Sequence, residues 1–397
     1  MEYSVADFDV NIDPMGFVID LGSLYDRLAT LTDSRQARGK RYALVTLLVF
    51  VVLAKLAGED RLAGISEWIK HRQEHLAEAL HLVKARAPHA STSSRILGRV
   101  VQVEELEAVV RQFFADQPGA GRSVGIALDG KTWRGTIRAG QTHGLHLLAA
   151  YLPAEGWVLM QVAVPGKENE ITAAPSVLKC LDLRGKVVTG DAMHAQRELS
   201  GQIVEAGGEY LWAVKENQAQ LRQDIETLCE PEKTVKGFSQ GTRDFRTSTT
   251  IEKGHGRLEC RKLTVSTELK GYLNWPAVEQ VFKLDRHSVR VADRRITAET
   301  VYGITSLTAH EANPKRLLEL IRCHWGIENG LHYRRDETLR EDWCHLRYGN
   351  AARVMATINN LVLGLLLTRG IKNVPQARRR FAAHPDTALA LILQAAA

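Results

Sequence analysis

The sequence predicts an α/β protein: an all-helical N-terminal region over residues 1–118, then a mixed sheet over 119–397 with a β-rich insertion at about 218–305. Three observations predict this. Apolar residues recur at helical spacing early in the chain, short apolar runs then alternate with helical patterns, and the insertion alternates with a period of two. A length of 397 residues fits two or three domains better than a single core.

In the N-terminal region Leu44, Leu47, Leu48, Val51 and Val52 repeat at intervals of three and four, and Ile65, Trp68 and Ile69 do the same. Residues 42–58 are the most apolar stretch, too short to cross a bilayer and interrupted by Lys55, so they read as a buried helix. Ahead of them Arg35, Arg38, Lys40 and Arg41 form a basic run, open to two readings: a solvated flank, or sequence-independent contact with phosphates. Ser91 to Ser94 read as a helix cap. Residues 117–121 read as a turn-rich linker.

The run Val124-Gly125-Ile126-Ala127-Leu128 ends in Asp129 and is followed by Gly130-Lys131. It is short, apolar on both faces and closed by glycine, the pattern of a buried strand that delivers a carboxylate to the sheet rim. Residues 145–151 and 157–164 flank Pro153 and Gly156 and read as an antiparallel hairpin. A helix over 171–181, a strand over 186–190 leading to Asp191, a helix over 192–205 and a strand over 209–214 follow. Strands at 243–250, 258–267 and 278–284 make the insertion. Helical spacing returns at 314–318 and runs on to Asp336, with His324, Glu328, His332 and Arg335 on one helical face. That stripe is either a partly buried polar site or a solvent-facing row of ion pairs.

Composition narrows the function. The content is 45% hydrophobic and 25% charged, as in ordinary globular proteins. A net charge of +6 and a pI near 9.0 favour an anionic partner. The five cysteines are scattered, with no Cys-x-x-Cys pair, which argues against a disulfide framework and a cysteine zinc site and suits a reducing cytoplasm. The N-terminus has no signal-peptide pattern, and no Walker A motif is present. His324, Glu328 and His332 do not form His-Glu-x-x-His. Trp133 and Trp325 read as core residues before stacking platforms, and Arg378-Arg379-Arg380 as a solvated tail.

Taken together, Leu128-Asp129-Gly130-Lys131, Gly190-Asp191-Ala192-Met193 and His324-Trp325-x-Ile327-Glu328-Asn329-x-Leu331-His332 resemble the signatures of DDE transposases, in particular the H-repeat-associated group of bacterial insertion sequences. Lys167-x-Asn169-Glu170-Ile171, Val214-Lys215-Glu216-Asn217-Gln218 and Gly256-Arg257-Leu258-Glu259-x-Arg261 support the resemblance, which spans nearly the whole chain. It implies an RNase H-like catalytic fold with Asp129, Asp191 and Glu328 as catalytic, metal-binding acids. It also implies double-stranded DNA as partner (element ends and target), a homodimer on DNA, no membrane, and a bacterial cytoplasmic setting at the nucleoid. One departure stands out. Wider relatives carry Tyr and Arg before the Glu and Lys after it; here those positions hold Ile321, His324 and Arg335.

In-line phosphodiester cleavage needs an activated nucleophile and a stabilised leaving oxygen, which two Mg²⁺ or Mn²⁺ ions about 3.5–4 Å apart supply. Such ions prefer carboxylate oxygens, so three acids from distant parts of the chain suit the need. Asp129 would bridge both ions, and Asp191 and Glu328 would each hold mainly one. Asp336 is the competing third acid. Lys131, Arg134, Lys167 and Arg335 are expected near the phosphates, with surface solvation the alternative. A metal-dependent nuclease without strand transfer and a catalytically silent DNA-binding remnant are the other readings; intact acids argue against the last.

Overall fold

The computed structural model describes residues 23–83, 86–117, 121, 124–165, 169–230, 243–254 and 256–393. Lys167 and residues 118–120 of the expected linker lie outside these. The first part is helical: α1 (Leu24–Ala29), α2 (Leu44–Leu56), α3 (Leu62–His71), α4 (Gln73–Ala79), α5 (Ala90–Arg99) and α6 (Val103–Ala115). The apolar stretch expected to be a buried helix is α2, apolar on all sides as a helix enclosed by others must be. The cap of α5 differs from expectation. His89 caps it, its imidazole accepting from the Ser91 N–H, so the serines lie inside the helix.

The sheet follows: β1 (Gly125–Trp133), β2 (Leu145–Leu152), β3 (Trp157–Val164), α7 (Glu170–Lys179), β4 (Val187–Gly190), α8 (Arg197–Glu205) and β5 (Glu209–Val214). Next come α9 (Ala219–Cys229), β6 (Arg246–Gly254), β7 (Arg257–Ser266), β8 (Gln280–Arg290) and β9 (Ile296–Thr305). All nine strands form one mixed sheet in the order β3-β2-β1-β4-β5-β9-β8-β7-β6. The hairpin is present as β2–β3, and β1 runs parallel to β4. The insertion strands are no separate layer: β9 pairs antiparallel with β5 and carries β8, β7 and β6 outward from it.

Alternation along each strand sorts side chains to two faces. Val188, Tyr210 and Trp212 join one apolar cluster, whereas Val187 and Leu211 join another beneath α10 (Pro314–His324). The cross-strand pairs Ala127↔Thr189 and Thr189↔Leu211 put Ala127, and two residues on Asp129, on the α10 face. Asp129 is therefore not the last residue of its strand. It lies inside β1, just past the end of the β1–β4 ladder, where β1 continues paired only with β2.

The chain closes with α11 (Ala351–Thr368), α12 (Val374–Ala383) and α13 (Pro385–Leu393). With 18 residues and a mean hydropathy of 1.4, α11 is long and apolar enough to cross a membrane, but 83% of it is buried against neighbours that include α2, α5, α6 and β3. The expected solvated arginine tail is corrected for Arg378. It is buried and donates to the Lys55 carbonyl at 3.0 Å and to Asp60 at 2.6 Å, while the Lys55 ammonium, its pKa lowered by burial, reaches Asp60 at 3.3 Å.

Between α10 and α11 the expected single helix gives way to two π-helical turns, Glu328–His332 and Arg334–Thr338. Tyr333 N–H donates to the Glu328 carbonyl and Leu339 N–H to that of Arg334, each five residues back. This wider turn holds more residues, so a spacing of seven no longer returns to the same face. Arg335 consequently points inward, 1% exposed. Its guanidinium makes two 2.8 Å bonds to the fully buried Glu341, whose second partner, Asn359 of α11, donates at 2.7 Å. Burial alone would raise the Glu341 pKa, but Arg335, with Lys131 and Asn359, outweighs it and the pKa is lowered.

Breaking one side of such a pair leaves an uncompensated buried charge, whereas removing both sides does not. We therefore expect Glu341→Gln and Arg335→Met each to lower stability by about 3 kcal/mol. The double variant Arg335→Met/Glu341→Leu should lose clearly less than the sum, as read from thermal unfolding of all four chains.

Candidate metal centre

Asp129 and Asp191 follow the registered pair Leu128↔Gly190 on adjacent parallel strands, so they leave the ladder side by side on the α10 face. Strands in a sheet lie about 4.8 Å apart, which sets their backbone separation. The segment after α10 crosses this rim. His324, at the end of α10, sets Nδ1 3.2 Å from the Thr189 hydroxyl and Nε2 3.7 Å from Asp191. The His324 imidazole beside it outweighs burial and lowers the Asp191 pKa. One turn on, Glu328 and His332 meet Asp129: one ligand atom from each of the three lies within 4.8 Å of the others, and His332 Nε2 is 3.2 Å from Asp129 Oδ2. Gly330 permits the crossing, since a Cβ there would sit 2.7 Å from the Tyr151 hydroxyl.

The sequence-predicted residues divide. Asp129 and Glu328 come together directly, and Asp191 flanks them just past the end of β4. Asp336 does not join them; its carboxylate is 2.6 Å from Lys131 Nζ, and burial raises its pKa against the pull of that lysine. Lys131, two residues beyond Asp129 on the same face, is 7% exposed and also lies 3.7 Å from Glu341 and 3.6 Å from Asp342. The expectation of phosphate contact is thus corrected for Lys131 and Arg335: Lys131 is held by the half-buried Asp336 and Arg335 by the buried Glu341. Arg134 differs. Its side chain is 82% exposed, with Asp342 at 3.8 Å.

Trp133 is a core residue, as expected. Trp325 lies beneath the Arg286 guanidinium at 3.9 Å, with Arg261 at 5.9 Å. Arg261 in turn bonds Glu252 at 3.2 Å, and Glu252 receives Arg322 of α10 at 2.8 Å. The insertion hairpin thereby braces the turn that leads into Glu328. The loop after Asp191 is pinned from another side: Asn217 donates to the Ala192 carbonyl at 2.7 Å and Gln218 to that of Ala195 at 3.0 Å.

A cluster on the opposite face of β1 was not singled out from sequence. Glu170, at the start of α7, lies 3.0 Å from His146 of β2 and 3.3 Å from the buried His194, while His146 Nδ1 meets Thr132 at 2.7 Å. A Cβ at Gly130 would collide with Glu170 at 2.2 Å, which explains the glycine next to Asp129. Signals existed: Asn169-Glu170 is a helix start, capped by Asn169 onto Thr172 N–H, and His146 interrupts an apolar strand.

The family described as Transposase DDE domain matches residues 120–365, and a DDE_Tnp_1-associated region matches 25–114. The chain belongs to this DDE transposase family. YncI of Escherichia coli O157:H7, named as a candidate transposase, is 30% identical over 88% of this chain and 88% of its own length. YhhI of strain K12, named as a candidate H repeat-associated transposase, is 28% identical over 88% of this chain and 91% of its own. A Xanthobacter autotrophicus protein of uncharacterised function is 31% identical over 70% and 92%. The solved piggyBac transposase synaptic complex with hairpin DNA superposes with a TM-score of 0.46 at 10% identity, over 92% of this chain and 77% of that one. The resemblance drawn from the acidic stretches to the H-repeat-associated group therefore holds.

Burial would raise the Glu170 pKa, but the hydrogen bond with His146 and the nearby His194 imidazole prevail and hold it at about 2, below its ordinary 4.5. A carboxylate depressed on folding contributes stability that is complete above the unfolded value and lost as pH falls towards the folded one. The difference in thermal midpoint between wild type and Glu170→Gln should be constant above pH 4.5 and shrink between pH 4.5 and about 2.

Proposed function

We propose that this chain is a DNA transposase that cuts insertion-sequence ends and joins them to target DNA by metal-dependent in-line chemistry on an RNase H-like core. Asp129, Asp191 and Glu328 are its catalytic acids. The observation that carries this is the meeting of Asp129 with Glu328, over 190 residues apart in sequence, within 4.8 Å on the face that Asp191 shares. The antiparallel β3-β2-β1 set followed by parallel β4 and β5 supports the RNase H-like assignment.

The donor set fits a divalent ion: two carboxylates and a buried imidazole converge, and neither imidazole nitrogen has a hydrogen-bond partner among the described residues. When bound, two Mg²⁺ or Mn²⁺ ions activate the nucleophile and offset charge on the leaving oxygen. Asp129 lies between Asp191 on the next strand and Glu328 on the crossing segment, so it is the carboxylate the two sides of the site share. Glu328 and Asp191 are exposed enough to meet a duplex at the rim. Arg134 and the exposed Lys215 flank the acids and would orient phosphates without reading sequence. The helical region up to residue 118 would add affinity through Arg38, Lys40 and Arg41, all exposed. The protein would act as a homodimer on double-stranded DNA in the bacterial cytoplasm, since two ends must be brought together.

The test is cleavage of a labelled duplex bearing the element's ends, with Mg²⁺. Asp129→Ala, Asp191→Ala and Glu328→Ala should each lose about 10³-fold or more in rate while still binding the duplex. Cutting by Glu328→Ala together with loss in Asp336→Ala would reassign the third acid. Cleavage without joining to a target would reduce the protein to a nuclease, and tight binding without any cleavage to a silent DNA-binding protein.

A further inference from the structure

His332 stands at this centre, and the three-acid account assigns its imidazole no ion of its own. It is 4% exposed, and neither ring nitrogen has a hydrogen-bond partner among the described residues. Burying a polar group unsatisfied costs about 1–3 kcal/mol, and such groups in folded proteins are rare enough to need a cause. The nearby Asp129 carboxylate does not supply it as a hydrogen bond. Nε2 stands 3.2 Å from Oδ2, yet the alignment is not that of a hydrogen bond.

Two ligands in adjacent positions of one octahedral ion stand about 3 Å apart without facing one another, because both face the ion. The separation of His332 from Asp129 has that value without hydrogen-bond alignment, and a Glu328 ligand atom lies within 4.8 Å of both. Resting on the transposase reading above, we propose that His332 is a third ligand, through Nε2, of the ion held by Asp129 and Glu328. One nitrogen and two carboxylates tilt this position away from Mg²⁺, which prefers oxygen and water, and towards first-row transition ions such as Mn²⁺. His324 is a contrast: its Nδ1 is engaged by Thr189 and its Nε2 stands farther off, 3.7 Å from Asp191.

The probe is Mn²⁺ itself, added to the full chain and followed by electron paramagnetic resonance. Pulsed spectra of wild type should carry nitrogen modulation from a directly bound imidazole, and labelling histidine with nitrogen-15 should change that modulation without any substitution. His332→Asn should abolish it and reduce the preference for Mn²⁺ over Mg²⁺ in competition by about tenfold or more, whereas His324→Asn should leave both in place. Binding that is lost in Asp129→Asn but shows no nitrogen modulation in wild type overturns the role of His332 and spares the carboxylate site. Modulation that survives His332→Asn and vanishes in His324→Asn also overturns it. No binding of Mn²⁺ at all removes both this proposal and the metal reading beneath it.

Discussion

Arg335 and Glu341 face one another through two 2.8 Å hydrogen bonds in a place that solvent scarcely reaches, and the geometry of the whole centre depends on that pair. A charge so deeply buried is tolerable only when its partner is fixed. Here the fixing is thorough. Asn359 and Asn360 of α11 bond to Glu341 and Arg335, and Asn360 passes the chain on to Gln161 of β3 at 2.8 Å. Gln161 then meets Thr357 at 3.0 Å. The network ties the π-helical segment to α11 below and, through Lys131 and Asp336, to β1 alongside. With the far end of the segment anchored, Glu328 and His332 have one place to go, and that place is Asp129.

The remaining acid is placed by backbone pairing. The β1–β4 register delivers Asp191 next to Asp129, and Asn217 and Gln218 hold the loop that follows it. The sheet extension made by β6 to β9 contributes from the other direction, by gripping Trp325 between α10 and the crossing segment. Glu170, His146 and His194 pack under β1 opposite Asp129, with the side-chain ends of Glu170 and His146 lying against position 130, where glycine stands. An acid at the rim thus stands on polar contacts on both faces of its strand. Such a frame holds like charges near one another at a site that a cation and a phosphate backbone can neutralise.

The parts legible in the sequence were those written locally. A short apolar run closed by glycine gives β1, and paired runs about a Pro/Gly turn give β2 and β3. A run ending in Gly190-Asp191 gives β4. The three acidic stretches also carried the family resemblance. What escaped were features made by residues distant in the chain. The inward turn of Arg335 depends on hydrogen bonds to the fifth residue, which no seven-residue spacing reveals, and on Glu341 and Asn360 as partners. Lys131 reads as a surface cation until Asp336, 205 positions later, is seen to hold it. The cluster about Glu170 joins three elements, and its histidines look like isolated interruptions of apolar runs. The stretch read as an insertion holds β6 to β9, but pairing of β9 with β5 is a long-range choice that alternation alone does not make.

The central claim is that Asp129 and Glu328 hold a divalent ion at the rim of this sheet. Anomalous diffraction from crystals of the full chain soaked in Mn²⁺ locates such an ion without reference to activity. The account predicts a peak between the Asp129 and Glu328 carboxylates. A peak at Asp336 and Asp342 or among Glu170, His146 and His194, with none at Asp129, would contradict it.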